Sequence, residues 1–171
     1  PAPPLPPPVL LSAVAPPAPA AGAPCASAPA VTALVSALCA PSLTSVTRQA
    51  PVAGGTKRVD ILATNVAHGG FFHWLTSHFA PCAFVVFECK NYSVDVANVE
   101  VDQLLGRLSA NYGLVGFLVC RKVDDLPRLL TRCVEAASKK QGYVIVLTDG
   151  DLADLAVEAQ SGQDFPLLRK K

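Results

Sequence analysis

Three short, nearly unbroken apolar runs constrain this chain most: Ala83–Cys89 (AFVVFEC), Leu114–Cys120 (LVGFLVC) and Tyr143–Leu147 (YVIVL). Runs of this length without polar alternation suit strands buried on both faces, which is the environment of a sheet covered by helices on both sides. The segments between them carry a helical period. Asn98–Ala110 places Val101, Leu104, Leu105 and Leu108 on one face, and Asn111-Tyr112-Gly113 stops it. Asp124–Ser138 turns Leu126, Leu129, Leu130, Cys133 and Val134 inwards. Upstream, Val59–Thr64 (VDILAT) reads as a strand and FFHWLTSHF (71–79) as a helix ended by Pro81. Downstream, Asp149–Ala159 is a helix with acidic residues in its first turn, where the helix dipole favours them. The resulting order, β-α-β-α-β-α-β-α, predicts an α/β fold with a partly parallel, mixed central sheet and helices on both faces.

The N-terminal third has a different composition. Thirteen of the sixteen prolines lie in residues 1–51, no acidic residue precedes Asp60, and Arg48 is the sole cation before Lys57. Residues 1–30 read as extended, disordered Pro/Ala-rich chain. VTALVSALCA (31–40) reads as one short helix closed by Pro41, and Pro51 with Gly54-Gly55 punctuates the entry to a domain. The expected division is therefore a tail or linker over 1–56 and a folded domain over 57–171. The net charge of +1 provides no global basic footprint for a nucleic acid. Local pairs such as Arg121/Lys122, Arg128/Arg132 and Lys139/Lys140 are candidates for a basic surface but read first as solvated helix or strand ends. None of the six cysteines is spaced as C-x-x-C, which argues against a zinc ribbon and for buried, reduced thiols in a cytoplasmic protein. No run is long enough to cross a membrane, and the start lacks the basic region of a signal peptide.

Chemistry concentrates where the first of the dry strands ends. Side chains alternate along a strand, so Glu88 and Lys90 point to one face and Cys89 to the other, towards the core. A carboxylate and an ammonium at the end of a buried strand are costly unless paired or bound to something. Asp60 is another acid in an apolar strand. If the two strands are neighbours, Asp60 and Glu88 converge, and a hard divalent cation such as Mg²⁺ relieves their repulsion. The Cys89 backbone carbonyl can add a third oxygen, and Lys90 can hold or activate a water, which makes a metal-assisted hydrolysis site for a phosphodiester. Simpler readings stand beside this one: a Glu88–Lys90 ion pair, Asp60 capping a turn, and Gln103 and Arg107 as helix-surface residues. His68, His73 and His78, spaced by five, scatter around a helix rather than cluster, Trp74 and its phenylalanine neighbours read as core, and Asp149-Gly150-Asp151 reads as a helix N-terminus.

Asp60 followed by Glu88-x-Lys90 on the next strand resembles the PD-(D/E)xK nuclease superfamily, and more narrowly the Mrr-like restriction endonucleases. The features that carry it are ECKNY (88–92), VDQLLGR (101–107), GLVGFLVCR (113–121) and YVIVLTDGDLADL (143–155), so the likeness covers residues 57–158. It implies a restriction-endonuclease-like sheet and a Mg²⁺-dependent DNA endonuclease of restriction or genome defence, with Mn²⁺ able to substitute. Asp60, Glu88 and the Cys89 carbonyl would hold the metal, Lys90 would position the attacking water, and Gln103 matches a helical Gln near the active site. Arg107, Asn91, Lys57 and Arg58 would contact DNA. Double-strand cutting needs two active sites, which makes a homodimer one option. The chain departs from the pattern in two places. Arg107 stands where some relatives have Tyr, and the Glu that many members carry on a helix before the Asp strand has no counterpart. The second implied reading follows from that gap: an inactive nuclease-fold module that binds DNA or a protein partner.

Overall fold

A computed structural model of the chain describes residues 27–79, 81–90, 96–160 and 165–171. Its elements run α1 (Ser27–Leu38), β1 (Leu43–Val52), β2 (Lys57–Asn65), α2 (Gly70–His78), β3 (Phe84–Lys90), α3 (Asn98–Leu105), β4 (Val115–Cys120), α4 (Leu126–Ser138), β5 (Tyr143–Leu147) and α5 (Asp149–Gln160). The five strands form one mixed sheet in the order β1-β2-β3-β4-β5. β1–β2 and β2–β3 pair antiparallel, whereas β3–β4 and β4–β5 pair parallel. The parallel half needs crossovers, which α3 and α4 supply.

The two faces of the sheet carry separate cores. On one side α1, α2 and α5 pack through Val31, Val35, Phe71, Phe72, Leu75 and Leu155 onto Ile61, Val85, Phe87, Phe117 and Val119. There the Phe87 and Phe117 rings stack with centroids 4.8 Å apart. On the other side α3 and α4 pack through Val101, Leu104, Leu129 and Cys133 onto Val86, Leu118 and Val146. β4 is buried along its whole length, as its sequence run requires. Gly116 on this strand lets α3 approach closely, since a Cβ there would sit 3.0 Å from the Leu104 side chain.

Three expectations are corrected. The folded unit begins before residue 57: α1 buries Ala28, Val31 and Val35, and β1 adds the edge strand of the sheet. β1 hides from sequence inspection because it buries only Leu43, Ala50 and Val52, scattered over both faces, and exposed polar residues fill most of the rest. Pro51, which reads as a breaker, is tolerated on an edge strand where its missing N–H has no partner to lose. The Pro/Ala-rich run over 1–26 lies outside the described residues. α3 ends at Leu105 rather than Ala110, because the chain turns at Gly106 and closes a small loop in which the Ser109 and Gly113 amides and carbonyls pair. On α4, Leu129, Cys133 and Ala136 face inwards, while Leu126, Leu130 and Val134 are 36%, 38% and 63% exposed. The apolar stripe of α4 is wider than the sheet beneath it.

Candidate active site

The strand registers assemble the site. Arg48 and Ala50 of β1 pair with Ile61 and Val59 of β2, which sets Gln49 opposite Asp60. Ile61 pairs with Phe87, so Asp60 lies opposite Glu88 one step along. Glu88 pairs with Leu118, and Leu118 with Val146. Gln49, Asp60, Glu88, Leu118 and Val146 thus form one row across the sheet, on the face that packs against α3 and α4. The row is apolar over the parallel half and polar over the antiparallel half.

Glu88 is 3% exposed and is the one charged residue among the described residues to be fully buried. Its Oε1 meets the Lys90 Nζ at 3.1 Å and pairs with Arg107 Nη1. Among the described residues its Oε2 has no hydrogen-bond partner. A buried carboxylate oxygen without a partner leaves room for a donor such as a water or a cation. Lys90 also donates to Gln103 Oε1 at 3.1 Å, which ties β3 to α3. Cys89 points to the opposite core and is buried.

Asp60 is half-buried and bridges three strands. Its Oδ1 accepts from Gln49 Nε2 at 3.0 Å, and its Oδ2 accepts from the Cys89 backbone N–H at 2.9 Å. The carboxylate thus engages the β3 backbone just beyond the last β2–β3 pair, beside the Glu88-Cys89-Lys90 corner. Gln49 reaches Asp60 from a left-handed backbone conformation, φ 50°, which is uncommon for a residue other than glycine. Sequence reading missed Gln49. Its signal is a lone amide in a stretch without acids, and its role depends on a strand that the sequence does not announce.

The remaining expected contacts take structural partners. Lys57 Nζ donates to the Gly106 carbonyl at 2.5 Å, which satisfies an orphan acceptor at the end of α3. Arg58 Nη1 donates to the Gln49 carbonyl at 3.1 Å. Both side chains are exposed and stand beside the row. Arg107 lies on the turn after α3, not on the helix, and points to Glu88. Arg132 of α4 fixes α3 from behind, its Nη2 2.6 Å and its Nε 2.8 Å from Asp102 Oδ1. Asn91 lies outside the described residues. His68, His73 and His78 are exposed and separate, and Asp151 accepts from the Thr148 backbone N–H at the start of α5. Burial there pushes the Asp151 carboxyl up, but the bonds from Lys171 and Thr148 outweigh it and hold the group below the usual value.

The donor set fits a hard cation of the Mg²⁺ type. Among the described residues no group of three or more His, Cys, Asp or Glu side chains that could hold a metal ion gathers, so a site here would rest on two carboxylates with water completing the shell. Mg²⁺ keeps several waters and needs one or two carboxylates, which Asp60 and Glu88 provide. Glu88 Oε2, without a hydrogen-bond partner among the described residues, could serve as a ligand.

The five described cysteines, Cys39, Cys82, Cys89, Cys120 and Cys133, are free thiols. Among the described residues no helix is long and apolar enough to cross a membrane.

No protein-family model matches the chain, and no curated protein does. Among solved structures the chain is similar to the DNA modification-dependent restriction endonuclease AspBHI, with a TM-score of 0.44 and 19% sequence identity. The match covers 82% of this chain and 32% of that one, so the chain spans about a third of that protein's length.

Proposed function

We propose that the chain is a Mg²⁺-dependent endonuclease that hydrolyses DNA phosphodiesters, of the restriction or genome-defence type. One observation carries this reading: the buried Glu88, whose Oε2 has no partner among the described residues, lies across from Asp60 and beside a lysine held by a glutamine. Asp60, Glu88 and the Cys89 carbonyl would hold the ion, for which Mn²⁺ can substitute. When bound, such an ion neutralises charge on the reacting phosphate and eases deprotonation of water.

The chain's own residues do the rest. Lys90, fixed between Glu88 and Gln103 at 3.1 Å each, directs its ammonium at the attacking water and meets the developing negative charge. Gln103 spends its amide oxygen on Lys90 and keeps its amide N–H groups for a water or a phosphate oxygen. Gln49 and the Cys89 N–H fix the carboxylate of Asp60, so little reorganisation is needed when a cation arrives. Lys57 and Arg58 stand exposed beside the site and suit contacts with the DNA backbone, and Asn91 is proposed for the same role from its place in the sequence alone. Cutting both strands would pair two such sites in a homodimer.

The test is conversion of supercoiled plasmid with Mg²⁺ and with EDTA, for wild type, Asp60→Ala and Lys90→Ala. Cleavage that needs Mg²⁺ and is lost in both variants is expected; cleavage unchanged in the variants rejects the site.

A second reading has its own observation. α1, the helix before the Asp60 strand, carries no carboxylate, and two cations already balance Glu88. In that reading the domain binds DNA or a protein without cutting. DNA binding that persists without any Mg²⁺- or Mn²⁺-dependent stabilisation would favour it.

A further inference from the structure

We propose that Arg107 is the resident counter-cation of Glu88, that it competes with the divalent ion for that carboxylate, and that a DNA phosphate releases it. The inference rests on the nuclease reading and adds an order to it, with substrate and metal binding helping one another.

The charges make the case. Asp60 and Glu88 carry two negative charges, and Lys90 and Arg107 two positive ones, so the cluster is neutral as it stands. A divalent ion added without any movement would leave two excess charges around a carboxylate that is 3% exposed. Excess charge in such a place is strongly unfavourable. Departure of one cation halves that excess, and the structure indicates which. The Lys90 side chain is 10% exposed and is tied to Gln103, whereas that of Arg107 is 24% exposed and sits on a turn. The turn itself is anchored, because Lys57 binds the neighbouring Gly106 carbonyl. The motion is therefore confined to the Arg107 side chain.

The released guanidinium then needs an anion. Asp102, the nearest acid along the chain, already meets Arg132 at 2.6 Å. A phosphodiester has the planar-fork complementarity that a guanidinium prefers. By thermodynamic reciprocity, a phosphate that draws Arg107 away raises metal affinity, and metal raises phosphate affinity by the same factor.

The experiment is calorimetric titration of the full chain with MnCl₂ alone, comparing wild type, Arg107→Gln and Arg107→Lys. Removal of one like charge at the site should tighten Mn²⁺ binding by roughly tenfold in Arg107→Gln, with Arg107→Lys close to wild type. Equal Mn²⁺ affinity in wild type and Arg107→Gln overturns the competition and leaves the metal site standing. No Mn²⁺ binding in either protein overturns both the competition and the metal site. A second measurement uses wild type alone, with and without a short phosphorothioate duplex that resists cleavage. The duplex should raise Mn²⁺ affinity, and an unchanged affinity overturns the proposal even if Arg107→Gln does not fold.

Discussion

Replacing Glu88 with Gln tests whether the site's charges balance as the geometry indicates. The substitution keeps the shape of a side chain that is 3% exposed but removes the charge shared by Lys90 and Arg107. Loss of one partner of a fully buried ion pair costs about 3–5 kcal/mol. Here the cost is lower, because Arg107 is 24% exposed and can turn to water, and Lys90 keeps Gln103. A neutral hydrogen bond from Lys90 to the new amide oxygen restores about 1 kcal/mol. The expected loss is therefore about 2 kcal/mol. With a urea slope of about 1.5 kcal/mol per molar, the midpoint falls by about 1.3 M. Urea unfolding followed by circular dichroism in EDTA reads this directly. A second substitution, Arg107→Gln, should cost less in the Glu88→Gln background than in wild type, with a coupling of about 1–2 kcal/mol. A Glu88→Gln protein as stable as wild type, or more stable, would refute the balance. Glu88 would then be a strained acid that the fold tolerates, not one that Lys90 and Arg107 support.

Further outcomes follow from the same structure. Gly116→Ala drives a Cβ to 3.0 Å from Leu104; it should cost about 1–3 kcal/mol and lower plasmid cleavage further by shifting α3, and with it Gln103, away from Lys90. Gln49→Ala frees Asp60 Oδ1 at a stability cost of about 1 kcal/mol, so a clear loss of cleavage in a folded variant is expected, and full activity would remove Gln49 from the site. Burial pushes the Cys82 and Cys133 thiols from 9.0 up to about 11, against a hydrogen bond with Asn65 and the charge of Arg132 respectively. Their folded values lie above the unfolded one, so the stability they contribute is complete below about pH 9 and is lost as pH rises towards 11. Urea midpoints should fall between pH 8 and pH 10.5, and a Cys82→Ala/Cys133→Ala protein should lose part of that slope.

The sequence declared the parallel half of the sheet and hid the antiparallel edge strand β1. β3, β4 and β5 are visible because strands covered on both faces must be apolar throughout, and the amphipathic segments between them are visible for the complementary reason. β1 (LTSVTRQAPV) is an exposed edge with two prolines at or near its ends, and its burial depends on a partner strand that no local pattern reveals. The site divides along the same line. Asp60, Glu88 and Lys90 were legible as polar residues in apolar strands, and their convergence needed only that β2 and β3 be neighbours. Gln103 was legible from its helix. Gln49 was not, because it reaches the site through β1 from a left-handed backbone conformation. Nor was the partner of Arg107, because the helical period runs on past Leu105 while the chain turns at Gly106.

The central claim is that Asp60 and Glu88 share one divalent cation, and anomalous scattering from a crystal soaked in Mn²⁺ tests it most directly. The account predicts a single anomalous peak bridging the two carboxylates, about 2.0–2.3 Å from an oxygen of each, with the Arg107 guanidinium displaced from Glu88. No peak between the carboxylates at saturating Mn²⁺, with Arg107 still paired to Glu88, would contradict it.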